Sequence, residues 1–371
     1  MRGGLRRAAA RAAVAVLAVA GLLSSCGYGS RTGGPDPAVE PVAGTAGPRL
    51  SADTVRIGYF ANLTHGTALV GLQKGLFRKE LGATRIRTQV FNAGPSAIEA
   101  LNAGAIDLAW LGPSPAINGY TRSDGKALRI VAGSASGGVK LVVNPARVAS
   151  LDDLRGKRIA TPQLGNTQDV ALLHYLAGRG LRVDAATGAG DVSVVRTDNK
   201  VTPNAYTSGA VDGAWVPEPT ASRLVALGAK VLLDERSLWP GGRFVITHLV
   251  VSQRFLAAHP DVVEAVLRGS VATHAYIRAQ PERAKADANA RIRQDTGKAL
   301  PPAVLDPAWR SIEFLDDPLA GTLRAEAGHA VTAGLLERPD LAGIYDLTLL
   351  NEVLRTAGRP AVPDAGLGTP R

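Results

Sequence analysis

The sequence predicts an α/β fold made of two lobes, and three observations support this prediction. Strand patterns and helix patterns alternate along most of the chain, which is typical of sheets flanked by helices. The alternation breaks off and restarts near residue 150. Two stretches are also nearly alike, "GAIDLAWLGP" from Gly104 and "GAVDGAWVPEP" from Gly209. We therefore expect two lobes of similar build, in which each copy ends a short helix and forms the third strand.

The elements of the first lobe follow from hydrophobic periodicity. "TVRIGYF" is a buried-strand pattern, and "TALVGLQKGLFRKEL" spaces its apolar residues three and four apart, as a helix on a sheet does. The elements that come next are a strand "TRIRTQVF", a helix "PSAIEALNAG", a strand "AIDLAWLG", a helix "SPAINGYTRS", and two strands "ALRIVAGS" and "VKLVVN". This order predicts a parallel sheet with helices on both faces.

The second lobe repeats the pattern and leads into a helical C-terminal part. Its elements are "SLDDLRG" and "TQDVALLHYLAGRG" as helices around the strand "KRIATP", then the strand "DVSVVRT", the helix "TPNAYTSG", the strand "AVDGAW", the helix "EPTASRLVALG" and the strand "AKVLLD". The β-rich run Arg243–Val251 fits a crossing back into the first lobe. After Ser252 the chain is mostly helical, and these additional C-terminal helices are expected to complete lobe 1.

The chain is thus expected to cross between the lobes twice, near Val143–Asn144 and near His248–Val251. The expected parts are a leader (1–26), a flexible tether rich in Gly and Pro (27–52), lobe 1 (53–144 and 248–356), lobe 2 (145–247) and a loose tail (357–371). Open α/β sheets bind ligands at the carboxyl ends of their strands. A cleft between the lobes is therefore the expected binding site.

The leader has the features of a secretory signal. Arginines precede an apolar run, Ala12–Leu23, that is too short to span a bilayer as a helix of about 20 residues. The run ends in "LSSC", which resembles a lipobox with Cys26 as the lipidated residue. Cys26 is the only cysteine, so no intramolecular disulfide is expected. We expect a chain anchored by a lipid to the extracytoplasmic face of the cell membrane.

Composition and motifs argue against several classes of protein. The formal charge is +10, but four of the arginines lie in the leader and no basic block follows, so nucleic-acid binding is not expected. "GSASG" has Ala135 where a nucleophile elbow needs Ser. The histidines show no zinc-binding spacing, and no phosphate-binding or dinucleotide-binding glycine motif occurs. We therefore expect a monomeric protein that is not an enzyme and that binds neither a cofactor nor a metal ion.

Small polar turns follow four of the predicted strands, and each turn precedes a helix. A helix N-terminus presents free N–H groups and a partial positive charge, so it suits an anion. The candidate ligand-binding residues in these turns are Thr64, His65, Gly94, Ser96, Gly112, Pro113, Ser114, Gly165, Asn166, Thr167 and Gln168, with Ser134 and Ser136 from "GSASG" near the hinge. The alternative for each turn is that its polar side chain only caps its own helix.

These turns contain no Lys or Arg. A dianion such as phosphate is often met by such side chains, whereas a sulfonate or nitrate can be held by neutral donors. An Arg from elsewhere could reverse this preference. The second copy of the repeat adds Trp215, whose ring could pack on an organic group, and Glu218, which either contacts a ligand amine or stabilises the following helix. Trp110 is expected in the core, and Asp107 and Asp212 are expected to tie strand starts to backbone N–H groups.

The segments "FNAGPSAIEALNAGAIDLAWLGPSPAINGY", "SLDDLRGKRIATPQLGNTQDVALLHYLAGRGL" and "GAVDGAWVPEPTASRLV" resemble the solute-binding proteins of ABC importers, in particular the nitrate-, sulfonate- and taurine-binding family. The resemblance runs from about Val55 to about Ser270. It implies a type II periplasmic-binding-protein fold, hinge closure on a small anionic or zwitterionic solute, and partnership with ABC permease and ATPase subunits.

The ligand stays open at this point. An aliphatic sulfonate or taurine is the main expectation, and nitrate, a carboxylate or a thiamine-precursor pyrimidine are the alternatives. The low aromatic content of 5% counts against a pyrimidine, because such a site needs stacked rings. A sensory lipoprotein without a transport role is the alternative from another class.

Overall fold

The computed structural model of the protein describes residues 49–369. The expected leader, Cys26 and most of the expected tether lie outside these residues. The strands are β1 (Thr54–Phe60), β2 (Arg85–Phe91), β3 (Leu108–Leu111), β4 (Leu128–Gly137), β5 (Val139–Val143), β6 (Arg158–Thr161), β7 (Ser193–Arg196), β8 (Gly213–Pro217), β9 (Lys230–Asp234), β10 (Val245–Ser252) and β11 (Ile312–Phe314).

The helices follow the strands in the order that the sequence predicts. They are α1 (Gly66–Lys74), α2 (Leu76–Leu81), α3 (Gly94–Asn102), α4 (Pro113–Arg122), α5 (Thr167–Gly178), α6 (Thr202–Thr207), α7 (Thr220–Ala226), α8 (Gln253–Ala258), α9 (Pro260–Ala279), α10 (Pro281–Thr296), α11 (Pro302–Arg310), α12 (Ala320–Thr332) and α13 (Thr348–Thr356). No helix within residues 49–369 combines the length and the apolar character that crossing a membrane requires.

Two sheets confirm the expected α/β architecture. The first has the order β11-β4-β10-β3-β1-β2, and the second has the order β7-β6-β8-β5-β9. In each sheet three neighbouring strands are parallel, β2-β1-β3 and β7-β6-β8. The remaining strands pair antiparallel, so the expectation of a parallel sheet holds only for these triplets.

The aspartate of the repeated motif makes the same kind of hydrogen bonds in both sheets. Asp107 accepts hydrogen bonds from the backbone N–H of Arg56 (2.8 Å) and from its guanidinium. Asp212 accepts from the backbone N–H of Arg158 (2.8 Å) and from Arg147. Asp107 thus ties the start of β3 to β1, and Asp212 ties the start of β8 to β6, as expected. The carbonyl groups of the glycines that open the motifs accept from the same arginines.

The chain crosses between the sheets earlier than the sequence indicates. β5 pairs with β8 and β9, so the first crossover lies at Gly137–Gly138 and not near Asn144. Both glycines have positive φ angles, +78° and +72°, which favour glycine because other residues are strained there. The chain returns between β9 and β10. Sequence patterns separated β4 from β5 but could not show that β5 pairs with β8 and β9 in the second sheet, because pairing between distant strands leaves no local signal.

The C-terminal part packs on both sheets. α9 contacts α1, α2 and α13 of the first sheet's side, as expected, whereas α12 contacts both α4 and α5. The expected loose tail is wrong for the described part of residues 357–369. Leu367 is buried in the core, and Thr369 donates its backbone N–H to the carbonyl of Tyr345 (3.0 Å).

Candidate functional site

A small cavity lies where the parallel strands of both sheets end. Its volume is about 30 Å³, room for about two water molecules, since one needs about 10–15 Å³. The residues that line it are Phe60, Asn62, Thr64, His65, Asn92, Ala93, Gly94, Gly112, Pro115, Asn166, Thr167, Gln168, Asn199, Pro217 and Ile246. The first sheet and the second sheet both contribute, so the cavity sits between the two halves of the fold.

The four predicted turns meet at this cavity. Candidate residues from every turn line it, namely Thr64, His65, Gly94, Gly112, Asn166, Thr167 and Gln168. None of the lining residues is a Lys, Arg, Asp or Glu. An anion in this cavity would therefore meet neutral donors and helix ends only.

Four helices begin at the cavity, and three of them have no side-chain cap. The N-cap residues of α1, α3 and α4 are His65, Ala93 and Gly112, and none makes a side-chain capping hydrogen bond. In α5, Asn166 caps the helix through its Oδ1, which accepts from the backbone N–H of Asp169 (2.9 Å). The interpretation that the turns only cap their helices thus applies to Asn166 and not to the other three. α3 and α4 therefore offer first-turn N–H groups and their helix dipoles at the cavity. α1 instead continues directly from the 3-10 turn Leu63–His65, and its first N–H, that of Gly66, donates to the carbonyl of Leu63.

The imidazole ring of His65 forms part of the cavity wall and is neutral. Burial lowers the pKa of His65 to about 3, so the imidazole carries no charge at neutral pH. Its Nδ1 accepts a hydrogen bond from the backbone N–H of Phe60 (3.3 Å), and the ring stacks on the Phe60 ring with centroids 4.1 Å apart. Because Nδ1 accepts, the proton of the neutral ring belongs on Nε2, which makes His65 a donor.

Two buried polar atoms at the cavity have no hydrogen-bond partner within residues 49–369. They are Oγ1 of Thr167 and Oδ1 of Asn199. Buried polar atoms in proteins are nearly always paired, so each exception calls for an explanation. Both residues line the cavity. The Thr167 hydroxyl can donate to a bound anion, whereas Asn199 Oδ1 only accepts and needs a donor group of the solute or a water molecule.

Asp169 fixes the turn that presents Asn166 and Thr167. Its carboxylate accepts from Thr161 Oγ1 (2.7 Å), from the backbone N–H of Gly165 (3.0 Å) and from Arg196 Nε (2.9 Å). Gly165 does not line the cavity; it forms the turn with a φ of +72°. Three contacts to one buried carboxylate hold the start of α5 in place before any ligand binds.

A buried chain of hydrogen bonds positions α1 on the other side. Ser134 Oγ donates to Thr67 Oγ1 (2.9 Å), Thr67 Oγ1 lies 2.8 Å from His274 Nε2, and His274 Nδ1 lies 2.6 Å from Asp316 Oδ1. The order hydroxyl, imidazole, carboxylate is that of a catalytic triad. Thr67 and His274 are completely buried, however, and the Thr67 hydroxyl is already occupied by Ser134. This series of hydrogen bonds therefore holds α1 in place, and none of its side chains is an exposed nucleophile.

Trp215 and Glu218 do not reach the cavity, which corrects the expectation for both. The Trp215 indole is buried and donates its Nε1–H to Glu235 (2.7 Å). The Glu218 carboxylate is also buried; it pairs with Lys140 Nζ (2.6 Å) and accepts from the backbone N–H of Ser222 (2.9 Å). Glu218 thus serves its own helix, the alternative that the sequence left open. Trp110 lies in the core, as expected.

Five further candidate residues also lie away from the cavity. Ser134 is used by the buried chain described above, and Ser136 Oγ accepts from the backbone N–H of Phe244 (3.2 Å). Ser96 is exposed, and Pro113 and Ser114 are buried inside the first turn of α4. None of the five lines the cavity.

Sequence reasoning missed three asparagines that line the cavity. Asn62 and Asn92 open two of the predicted turns, and Asn199 follows β7 in the turn before α6. The signal for Asn199 was present, because β7 and α6 repeat the strand–turn–helix order of the other four turns. Within the described residues no group of three or more His, Cys, Asp or Glu side chains is placed to hold a metal ion.

Comparisons with known proteins identify a family and similar folds. A model of the NMT1-like family matches residues 50–292. A putative binding protein of Brucella abortus is 28% identical over 298 residues, which cover 77% of this chain and 87% of the relative. The taurine-binding periplasmic protein of Escherichia coli is 29% identical over 55% of this chain and 61% of its own. Among solved structures, the alkanesulfonate-binding protein SsuA from Xanthomonas axonopodis pv. citri bound to MOPS has a TM-score of 0.63 and 25% identity, covering 77% of this chain and 96% of its own.

Proposed function

The chain belongs to the NMT1-like family, and on that premise we propose that it captures an organosulfonate between its two sheets and delivers it to an ABC importer. The observation that carries this proposal is the cavity itself. The uncapped N-termini of α3 and α4, the neutral ring of His65 and the unpartnered hydroxyl of Thr167 line it, and no charged side chain does.

The charge of the cavity favours a monoanion. A sulfonate spreads one negative charge over three weakly basic oxygens, and neutral N–H and O–H donors can hold it. A phosphate dianion is more often matched by Arg or Lys, which line no part of the cavity. The named binding functions of the relatives, taurine and alkanesulfonate, are in line with this preference.

Nitrate is the second candidate, because the cavity is small. The cavity has room for about two water molecules, so four-atom nitrate needs less additional space than a whole organic molecule does. A carboxylate would meet the same donors. The single aromatic ring besides His65 in the lining is Phe60, which gives a thiamine-precursor pyrimidine little to stack on.

The proposed role requires attachment to the membrane. We propose that the protein lies at the extracytoplasmic face of the cell membrane, attached through a lipid on Cys26. It would act there as a monomer with ABC permease and ATPase subunits. A sensory role would use the same cavity. Neighbouring permease and ATPase genes would support transport, and their absence would favour the sensory role.

A thermal-shift screen tests the proposed ligand class. Ethanesulfonate, taurine, nitrate, acetate and a thiamine-precursor pyrimidine are each added to the purified chain without its leader. A sulfonate is expected to raise the melting temperature most, because a ligand that binds only the folded state stabilises it. A shift with nitrate alone would replace the sulfonate by nitrate, and no shift with any anion would overturn the proposal.

A further inference from the structure

A second cavity shares no lining residue with the one between the sheets and is much larger. Its volume is about 540 Å³, within the range of about 300–1,000 Å³ that small-molecule sites occupy. It is lined mainly by β11, the C-terminal end of α9 and residues 359–363, and we call it the hinge groove. We propose that the hinge groove binds an aromatic carboxylate and that the bound carboxylate stabilises the present arrangement of the two crossovers. This site goes beyond the proposed function.

The lining of the hinge groove is largely apolar and includes two aromatic rings. The ring centroids of Trp309 and Phe314 are 4.9 Å apart, with the ring planes at 42°. Residues 360–363, from the segment expected to be a loose tail, line the groove as well. The aliphatic residues beside the rings are Ile277, Ile312, Leu315 and Leu354. A ligand with a flat apolar body would bury its surface against this lining and contact the two rings.

The three acidic residues that line the hinge groove all have partners in the fold. Glu313 accepts two hydrogen bonds from Arg243, of 3.0 and 2.9 Å. Asp316 pairs with Arg359. Asp317 accepts from a backbone N–H just before α12, at 2.8 Å. These contacts also occupy two of the three arginines of the lining, so neither a free carboxylate nor those two arginines would determine the charge of a ligand.

The third arginine of the lining, Arg278, is available to a ligand. It is exposed in the last turn of α9 and has no acidic partner within residues 49–369. A guanidinium can bind a carboxylate through two parallel hydrogen bonds. One available guanidinium beside an apolar lining with two aromatic rings favours an anion with an aromatic body. The alternative for Arg278 is that it only stabilises the C-terminus of its own helix.

The hinge groove adjoins both crossovers between the sheets. β11, which supplies Ile312 and Phe314 to the lining, pairs with Ala135–Gly137 of β4, directly before the first crossover. Arg243 lies in the return crossover, two residues before β10. A change in the angle between the two sheets must change backbone dihedral angles in these two segments. A ligand that fits the groove in this structure therefore favours the arrangement in which the two halves are close together.

Calorimetric titration with three matched compounds tests the ligand class. 3-Phenylpropanoate has both the ring and the carboxylate, 3-phenyl-1-propanol lacks the charge, and propanoate lacks the ring. We expect 3-phenylpropanoate to bind about twofold to fivefold more tightly than the alcohol, the range for an exposed ion pair. Propanoate should bind at least about tenfold more weakly than 3-phenylpropanoate, because it buries no ring. Equal affinities for propanoate and 3-phenylpropanoate, or no binding of 3-phenylpropanoate, would overturn the site.

Two variants and a matched control place the ligand in the hinge groove. Arg278→Gln should remove the preference for 3-phenylpropanoate over the alcohol and leave the affinity for the alcohol unchanged. Arg355→Gln is the control: Arg355 is also exposed in the last turn of a helix, α13, has no acidic partner in the described part of the chain, and does not line the groove. Ala361→Trp changes an exposed lining residue and should abolish binding of both compounds by filling the groove, without lowering the melting temperature. A preference that survives in Arg278→Gln would mean that Arg278 only stabilises its helix and would overturn the assignment of the anion partner.

Titration of ethanesulfonate in the presence of saturating 3-phenylpropanoate tests the effect on the hinge. Each compound should raise the affinity for the other by the same factor, because coupling between two binding sites is reciprocal. Unchanged affinity for ethanesulfonate would overturn the effect on the crossovers. A decrease that persists in Ala361→Trp would place 3-phenylpropanoate in the first cavity and overturn the second site. Binding of 3-phenylpropanoate without any binding of ethanesulfonate would overturn the proposed sulfonate function and leave the hinge groove as a site.

Discussion

Among single side chains, Thr167 illustrates how the cavity differs from the rest of the interior. Its Oγ1 is buried and has no hydrogen-bond partner within the described residues. The hydroxyl of Thr161, which is also buried, donates to Asp169 at 2.7 Å. The Thr161 hydroxyl therefore contributes to the fold, whereas the Thr167 hydroxyl is available to a bound solute.

Thr167→Val should weaken ligand binding without destabilising the chain. A hydrogen bond to a charged group contributes about 1.5–3 kcal/mol, so we expect affinity to fall about tenfold or more. The free energy of unfolding, measured by chemical denaturation, should stay the same or rise slightly, because no hydrogen bond is lost. Thr161→Val is the control, and it should lower the free energy of unfolding by about 1 kcal/mol or more. Unchanged affinity in Thr167→Val would show that this hydroxyl does not contact the ligand.

Gly112 lets α5 approach the N-terminus of α4. A Cβ atom at residue 112 would overlap Thr167 Oγ1 and would lie 3.4 Å from the carbonyl oxygen of Ile246. α4 follows the first sheet and α5 follows the second, so this contact forms only when the two halves are close together. The glycine is thus needed for the close approach of the two halves in this structure.

Gly112→Ala should therefore oppose closure. We expect weaker ligand binding and a smaller ligand-induced decrease of the radius of gyration in small-angle scattering, with little change in unfolding free energy. Adding Thr167→Ala removes the overlapping hydroxyl and should restore closure. Gly328→Ala in α12 is the control, because a Cβ there meets nothing within 4 Å. Normal closure in the Gly112→Ala variant would contradict this role.

α5 and α12 meet through two stacked histidines. The rings of His174 and His329 are 3.8 Å apart at 12°. Burial lowers the pKa of both rings, and the neighbouring His174 helps to lower that of His329, to about 4. Two neutral rings can stack, whereas two protonated rings would repel each other.

Acid should therefore weaken this contact. The pKa of His329 lies below its ordinary value of 6.5, so the folded chain binds fewer protons than the unfolded chain between about pH 6.5 and 4. The contribution of His329 to stability is complete above pH 6.5 and is lost as the pH falls towards 4. His329→Phe keeps an aromatic ring that does not titrate, so its melting temperature should fall less steeply in this range.

Glu235 acts in the opposite direction and must be separated in the same measurement. Burial raises the pKa of Glu235 to about 7, so its contribution is complete below pH 4.5 and is lost as the pH rises through 7. Glu235→Gln should therefore remove this opposing trend between about pH 4.5 and 7, so that the loss of stability in acid from His329 becomes steeper in the range the two groups share. Identical acid slopes in the unchanged chain and in His329→Phe would contradict the role of the histidine pair.

For the whole molecule, the sequence was a good guide wherever local patterns decide the structure. Strand–turn–helix units are local, and the four turns that they predict do meet at the cavity. Glu218 was only half predictable: its contact with the N–H of Ser222 is local, whereas Lys140 comes from another element. The partner of Trp215, Glu235, also comes from another element, and no pattern around the tryptophan indicates it. The same reason explains why β5 was assigned to the wrong sheet, since its apolar run fits either one.

We expect helix N-termini of both halves to hold an anion without a charged side chain. A crystal structure of the chain grown with ethanesulfonate would show this contact by itself. We predict sulfonate density between the first turns of α3, α4 and α5, with oxygens within hydrogen-bond distance of backbone N–H groups and of Thr167 Oγ1. A sulfonate bound elsewhere, or one held by Arg or Lys side chains, would contradict the account.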